Sequence, residues 1–228
     1  MSNPTDRDPV PRKQPLEAPA FHWPVRRRLR CPAVVLPPLQ SYVSVVEERR
    51  TIRAMQPASI REVINALAFA MRPRFVLEDD PFNRTRGLAL SAGALHPINV
   101  VIIEWRGTIR AMRYVPVDHM IEVMKPRDPD MLSQFARRCG EILPAAHGTA
   151  LAFLADTLAV AAAYDNGESL LWRDAGAMLQ NLALAATAFR LAFCPLGILG
   201  SEVAQGLAVP RSRMIAVGAA MVGRPEGS

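Results

Sequence analysis

WRDAGAMLQNLALAATAFRLAFCPLGILG, residues 172–200, is the stretch whose reading decides the fold. Between Leu179 and Phe193 apolar residues cover nearly the whole circumference of a helix, which a water-soluble protein tolerates only when other elements wrap that helix on most sides. A buried helix over Leu170–Phe193, the central beam of a core, is therefore expected. Cys194-Pro195 then stops the helical hydrogen-bond pattern, because proline has no amide donor, and the chain leaves as a strand or loop. Gly197, lacking a Cβ, lets the backbone approach something bulky and flat.

With 228 residues, half of them apolar, the chain can bury one substantial core. The expected division is an arm over residues 1–40 and one domain over residues 41–228. Prolines throughout the arm forbid a helix or central strand, so it is expected to be extended or disordered. It also holds much of the net charge of +6, in Arg26, Arg27, Arg28 and Arg30. A solvated basic tail, or an arm lying on a partner subunit, explains that run. Nucleic acid is not an expected partner, since neither aromatic interleaving nor a helix-turn-helix pattern accompanies the arginines. The run is followed only by CPAVVLPPL, too short and broken for a secretory signal. Cys31, Cys139 and Cys194 are odd in number and widely spaced, which argues for a reducing, cytoplasmic location and against a metal site. The two long apolar segments, Gly148–Tyr164 and Met178–Phe193, carry Asp156 and Arg190. A charge at the centre of a membrane span costs roughly 2.5–3.5 kcal/mol, so both segments read as core.

Along the domain, SYVSVVEERRTIRAM predicts a short helix ending near two arginines. Ser59-Ile60-Arg61-Glu62 is a capping-box pattern opening a helix to about Met71, with Ile60, Val63, Ile64, Leu67 and Met71 on its buried face. Pro73 closes it before a polar loop, residues 72–86. Ile98–Ile103 and Ile109–Val115 flank the Arg106-Gly107 turn and predict a β-hairpin. Asp118–Met124 reads as a short helix or turn, and Asp130–Leu143 as an amphipathic helix. Thr149–Ala163 is open between helix, favoured by alanine, and strand. Met214–Val222 predicts a strand ending in Gly223-Arg224-Pro225.

Three of these stretches carry a resemblance: Arg49-Arg50-Thr51-Ile52-Arg53, Ser91-Ala92-Gly93-Ala94-Leu95-His96-Pro97, and the opening helix with its Cys194-Pro195-Leu196-Gly197 exit. In this order and spacing, over about Ser41 to Pro225, they resemble the FMN-dependent nitroreductase-like superfamily, most closely its thiazole/oxazole (azoline) dehydrogenase branch. The resemblance implies an α+β fold with a mixed sheet flanked by helices and a central buried helix. It also implies a homodimer with FMN at the subunit interface.

A phosphate wants several donors at once, each hydrogen bond to a charged group being worth roughly 1.5–3 kcal/mol. Arg49, Arg50, Arg53 and Arg224 could supply them. The resemblance gives Arg49 and Arg53 the FMN phosphate and ribityl chain, with Thr51 standing where the family usually has Ser. It places Ser91, Ala92 and Gly93 beside the isoalloxazine ring, and Leu196, Gly197 and Ile198 where a backbone amide meets the reactive flavin nitrogen. Plainer roles stand beside these. Arginines at a helix end can serve its dipole, Ser-Ala-Gly can be a tight loop, and Gln180-Asn181 can bridge backbone groups in the core or contact cofactor. His96, where the family commonly has Tyr, can be structural or face substrate.

The pattern also departs from the branch. Ala161-Ala162-Ala163-Tyr164 lies where azoline dehydrogenases carry a Lys-Tyr pair for proton handling, so the lysine is absent. Ala177 stands where a histidine often follows the helix glycine. The expectation is an FMN oxidoreductase passing hydride between a reductant, NAD(P)H being the candidate, and a small organic acceptor. His96 and Tyr164 are the catalytic candidates. The alternatives are a dehydrogenase tailoring a peptide or natural product, and a flavin-poor partner subunit.

Overall fold

The computed structural model describes residues 7–80, 82 and 84–227, so the first six residues of the arm lie outside the described residues. In chain order the elements are β1 (Val10–Pro11), β2 (Val25–Arg30), α1 (Tyr42–Glu48), β3 (Met55–Gln56), α2 (Ile60–Met71), β4 (Phe75–Val76) and β5 (Thr85–Arg86). There follow β6 (Ile98–Glu104), β7 (Arg110–Val115), β8 (Met120–Met124), α3 (Pro129–Ile142), β9 (Thr149–Asp156), α4 (Thr157–Ala163) and β10 (Tyr164–Asp165). The chain closes with α5 (Glu168–Ala188), β11 (Ala192–Leu196), α6 (Ser201–Gly206) and β12 (Met214–Pro225).

One large sheet runs in the order β11-β12-β9-β6-β7-β8-β2, with β3 pairing the end of β12. A mixed sheet was expected. Instead every ladder in it is antiparallel, and the parallel contact is an isolated bridge between Met55 and Ala146. Tight turns join β6 to β7 and β7 to β8, and a tight turn can only return a strand antiparallel. Helices cover both faces. Alternate residues of β6 and β9 prove the arrangement: Val100, Ile102, Leu151 and Phe153 pack with α2 and α5, whereas Val101, Ile103, Ala150 and Ala152 pack with α3 and α6. This double burial is why the strands read as unbroken apolar runs rather than alternating ones.

The central helix is present but shorter than Leu170–Phe193. It ends at Ala188, where Arg190 takes φ +56° and donates its amide to Thr187, while the Leu191 amide reaches Ala186. The left-handed residue redirects the chain before the proline can, so residues 192–196 form β11. Pro195 is accommodated because β11 is an edge strand, and a residue without an amide can occupy the outward position there.

Met120–Met124 is strand β8, not a helix or turn. Its buried Ile121 and Met124 serve opposite faces of a sheet covered on both sides, which hides the alternation. Thr149–Ala163 realises both readings in turn: β9 runs to Asp156, whose carboxylate then accepts the Ala159 amide at 3.0 Å and opens α4. The hairpin β6–β7, the Ser59–Glu62 capping box and β12 form as the pattern predicts. The loop over residues 72–86 contains a two-residue ladder between β4 and β5.

Within the arm, the proline-free run Val25–Arg30 lies along β8 at the sheet edge. Further upstream, β1 pairs with β10. No helix among the described residues is long and apolar enough to cross a membrane.

Candidate functional site

Arg49 caps the end of α1, its amide bonded to the Val45 carbonyl at 3.0 Å. The segment beyond it is stitched to the sheet twice. The Ile52 amide donates to the Phe193 carbonyl of β11 at 3.2 Å, and Gln56 of β3 pairs with Arg224 of β12. Since Ala192 faces Gly223 in the β11–β12 ladder, residues 49–53 and Arg224 meet at one corner of the sheet. There, Arg49, Arg50 and Arg53 have no carboxylate partner among the described residues. Thr51 is exposed beside them. Burial pushes the Cys194 thiol upward in pKa, with the positive charge of Arg53 opposing that shift. Arg224 differs from its neighbours, because it binds Glu62 at 2.9 Å. Burial raises the Glu62 carboxyl, and the hydrogen bonds from Ser59 and Arg224 outweigh that effect and leave it below its ordinary range.

From this corner β11 leads to the expected exit. Pairing with β12 uses the inward side of the strand, and the missing amide of Pro195 fixes which side is outward. The outward positions are then Phe193, whose carbonyl is taken by Ile52, Pro195, and Gly197 just beyond the strand. Phe193 and Gly197 are four residues apart, about 13 Å at the usual rise of a strand. A side chain on Gly197 would meet nothing within 4 Å, and neither the Gly197 nor the Ile198 amide donates a hydrogen bond among the described residues. Leu196 and Ile198 are buried on either side and hold the turn.

Ser91–His96 sits against α5 and is fastened by a residue that sequence reasoning passed over. Asp174, only 6% exposed, accepts the Ser91 hydroxyl at 2.6 Å and the Ala92 amide at 3.1 Å. The Ser91 oxygen in turn accepts the His96 amide at 2.8 Å, and the Ala94 and Leu95 amides bond to the carbonyls of Ser91 and Ala92. Gly93, Ala94 and His96 adopt φ of +56°, +57° and +45°. For residues with a Cβ this left-handed region costs roughly 1–2 kcal/mol each. The sequence did hold a signal for Asp174, a lone acid on the same helical stripe as Leu171, Ala175, Met178 and Leu182, all buried.

The catalytic candidates separate. Tyr164 reaches the loop: its hydroxyl oxygen lies 2.7 Å from where a Cβ on Gly93 would be. It also lines a cleft of about 670 Å³ with Trp172, Leu171, Arg12 and Arg211. The His96 ring contacts the Thr85 carbonyl through Nε2 at 2.9 Å and faces a smaller cavity with Asn99 and Tyr114. A ring nitrogen facing a carbonyl must carry its proton, so that nitrogen is already engaged. Gln180 is exposed on α5, while Asn181 donates to the Ala70 carbonyl at 2.7 Å and ties α5 to the end of α2.

The nitroreductase family profile matches residues 46–224 of the chain. Among curated proteins no match is found. Solved structures share the fold. A protein of Ralstonia eutropha JMP134 described as a nitroreductase is 17% identical with a TM-score of 0.64, covering 97% of this chain and 100% of its own. A Desulfovibrio desulfuricans protein described likewise, in complex with FMN, is 21% identical with a TM-score of 0.54, covering 82% and 88%. The Escherichia coli microcin synthetase McbBCD complex with truncated pro-MccB17 bound contains a chain 19% identical with a TM-score of 0.56, covering 77% and 69%.

Proposed function

We propose that this chain, which belongs to the nitroreductase family, works as an FMN-dependent oxidoreductase. The observation that carries the reading is the edge of β11. Among the described residues, three arginines without a carboxylate partner flank Ile52, which bonds to Phe193, and two amides without an acceptor follow at Gly197 and Ile198, Gly197 lying about 13 Å beyond Phe193 along the strand. A phosphate joined to a flat heterocycle by a short polyol has the charge for one end and the acceptors for the other. The donor set therefore fits FMN. Arg49 and Arg53 would hold its phosphate, with Arg50 and Thr51 beside them. The amides of Gly197 and Ile198 would meet an acceptor on the ring, and Gly93 would offer a third amide. Arg224, neutralised by Glu62, would contribute less, and nothing in the placement of exposed Gln180 assigns it a contact.

When bound, FMN supplies two-electron transfer between a reductant, for which NAD(P)H is the proposed donor, and a small organic acceptor. The chain's own part is to bind, to orient and to manage a proton. Tyr164 would serve the last of these, a reading supported by its hydroxyl at the Gly93 face of the loop and its place in the lining of the adjoining cleft.

A homodimer completes the reading. Leu36, Leu39, Tyr42 and Val43 are 69%, 103%, 76% and 62% exposed, an apolar surface on and before α1 that a second copy would cover. The three thiols are free, which supports a cytoplasmic location.

The placement of Tyr164 also favours a second reading, a dehydrogenase tailoring a peptide. A tyrosine stands at the loop even though Ala161-Ala162-Ala163 before it holds no lysine like that of the azoline enzymes. The test is the visible spectrum of the purified protein before and after FMN, then after NAD(P)H. A flavin band near one per chain that bleaches supports the oxidoreductase. Reduction of simple quinones or nitroaromatics then favours the small-acceptor reading, while turnover of azoline peptides alone favours tailoring. A colourless protein that takes up no FMN overturns both and leaves a non-catalytic partner subunit.

A further inference from the structure

We propose that Asp174 is a positioning residue: it holds Ser91–His96 so that the Gly93 amide, and not Ser91 or Ala92, is the donor this loop gives to the flavin. The inference rests on the flavin reading above and changes which atoms of the loop serve it. The resemblance gave Ser91, Ala92 and Gly93 equal standing. Their hydrogen bonds do not. The Ser91 hydroxyl donates to Asp174 and accepts from His96, and the Ala92 amide donates to Asp174. The Ala94 and Leu95 amides close the 3₁₀ turn, and the His96 amide is spent on Ser91. Of the amides from Ala92 to His96, Gly93's alone makes no hydrogen bond among the described residues.

The chemistry at position 174 suits this role. Two donors, a hydroxyl and an amide, converge on the side chain. A carboxylate accepts both, whereas an asparagine would turn its NH₂ toward one of them. The residue is 6% exposed on an otherwise apolar stripe and has no cation beside it among the described residues. Burying a carboxyl group without a cation is costly, and an alanine or leucine would pack there without that cost. The loop needs such a clamp, since left-handed residues that carry a Cβ persist only where the surroundings over-determine them, and here Ala94 and His96 are two such residues within three positions. The Tyr164 hydroxyl against Gly93 bounds the same turn from the other side.

The test uses full-length protein, as wild type, Asp174→Asn, Ser91→Ala, and Val203→Ala as a control. Val203 is fully buried on the opposite face of the sheet and loses core packing without touching the loop. Two quantities are measured: amide hydrogen exchange in the flavin-free protein, and the dissociation constant for FMN. In Asp174→Asn the Ala92 and His96 amides exchange at least tenfold faster, and the FMN dissociation constant rises ten- to a hundredfold. Ser91→Ala shows a smaller change in both, and carries the test if Asp174→Asn does not fold. Val203→Ala changes neither quantity at these positions.

Loop amides that exchange as in wild type overturn the proposal. So does faster exchange with FMN affinity within twofold of wild type, a result that leaves the flavin reading standing. Wild-type protein that binds no FMN overturns the flavin reading itself, and this inference with it.

Discussion

At the Arg49–Arg53 corner, guanidinium groups stand with no carboxylate to answer them among the described residues. At Ser91–His96, by contrast, all the amides from Ala92 onward but one are already engaged within the protein. A bound anion would answer the charge at the corner. The loop stores backbone strain that the protein itself has offset. The difference teaches that the two regions proposed to hold the flavin are prepared by opposite means. A change at the corner should be read in ligand affinity with little effect on the empty fold, and a change in the loop should be read in the empty fold first.

The largest effect is expected from Arg49→Ala combined with Arg53→Ala. Losing two charge-assisted contacts at roughly 1.5–3 kcal/mol each weakens FMN binding by about two to four orders of magnitude. The spectrum after gel filtration should be colourless, while far-UV circular dichroism and the melting temperature of flavin-free protein stay put. A large fall in stability there would break the comparison.

Gly93→Ala is expected to do the reverse. It forces a Cβ into the left-handed region and to within 2.7 Å of the Tyr164 hydroxyl. The flavin-free protein should lose about 1–2 kcal/mol in urea titration. Unchanged stability would mean that the loop is not strained in the way described.

Arg224→Ala sharpens the boundary of the corner. Because Glu62 already engages this arginine on a half-exposed surface, FMN affinity should fall less than fivefold and stability by less than about 1 kcal/mol. A loss as large as that from Arg49 would show that Glu62 releases it to the ligand.

The smallest effect concerns the β4–β5 loop, away from both regions. Hydrogen bonds from Arg84 hold the Asp80 carboxyl down at about 2, against an opposing rise from burial. Asp80 therefore contributes its stability in full above the ordinary carboxylate range near pH 4. That contribution is lost as pH falls through about 2. Hydrogen exchange at the Arg84 amide should accelerate over that window, and Asp80→Asn should abolish the dependence.

Much of this architecture was legible in advance, and the parts that were not have physical causes in common. Ser59 and Glu62 announced their capping box because the pattern is local. The Arg106-Gly107 hairpin did so because a turn and two apolar runs suffice. By contrast, β8 was hidden because Ile121 and Met124 serve opposite faces of a doubly covered sheet. The end of α5 was misplaced because Arg190, a residue with no special liking for the left-handed region, takes it under tertiary constraint five residues before the proline that looked decisive. At the site, spacing brought forward the arginines and the glycines. It could not show that Glu62 would claim Arg224, nor that a lone acid in an apolar helix would reach back 82 residues to Ala92.

The pairing of β1 with β10 bears on the order in which the molecule is made. Arg12 donates from its side chain to the Ala161 carbonyl, 149 positions later in the chain, and its amide bonds to Ala163. During synthesis on the ribosome, the arm must wait in solvent until more than half of the protein has emerged. Contacts so distant in sequence close late. The segment that carries Tyr164 is thus locked by one made well before it, so assembly of that wall of the cleft reports that synthesis has passed β10.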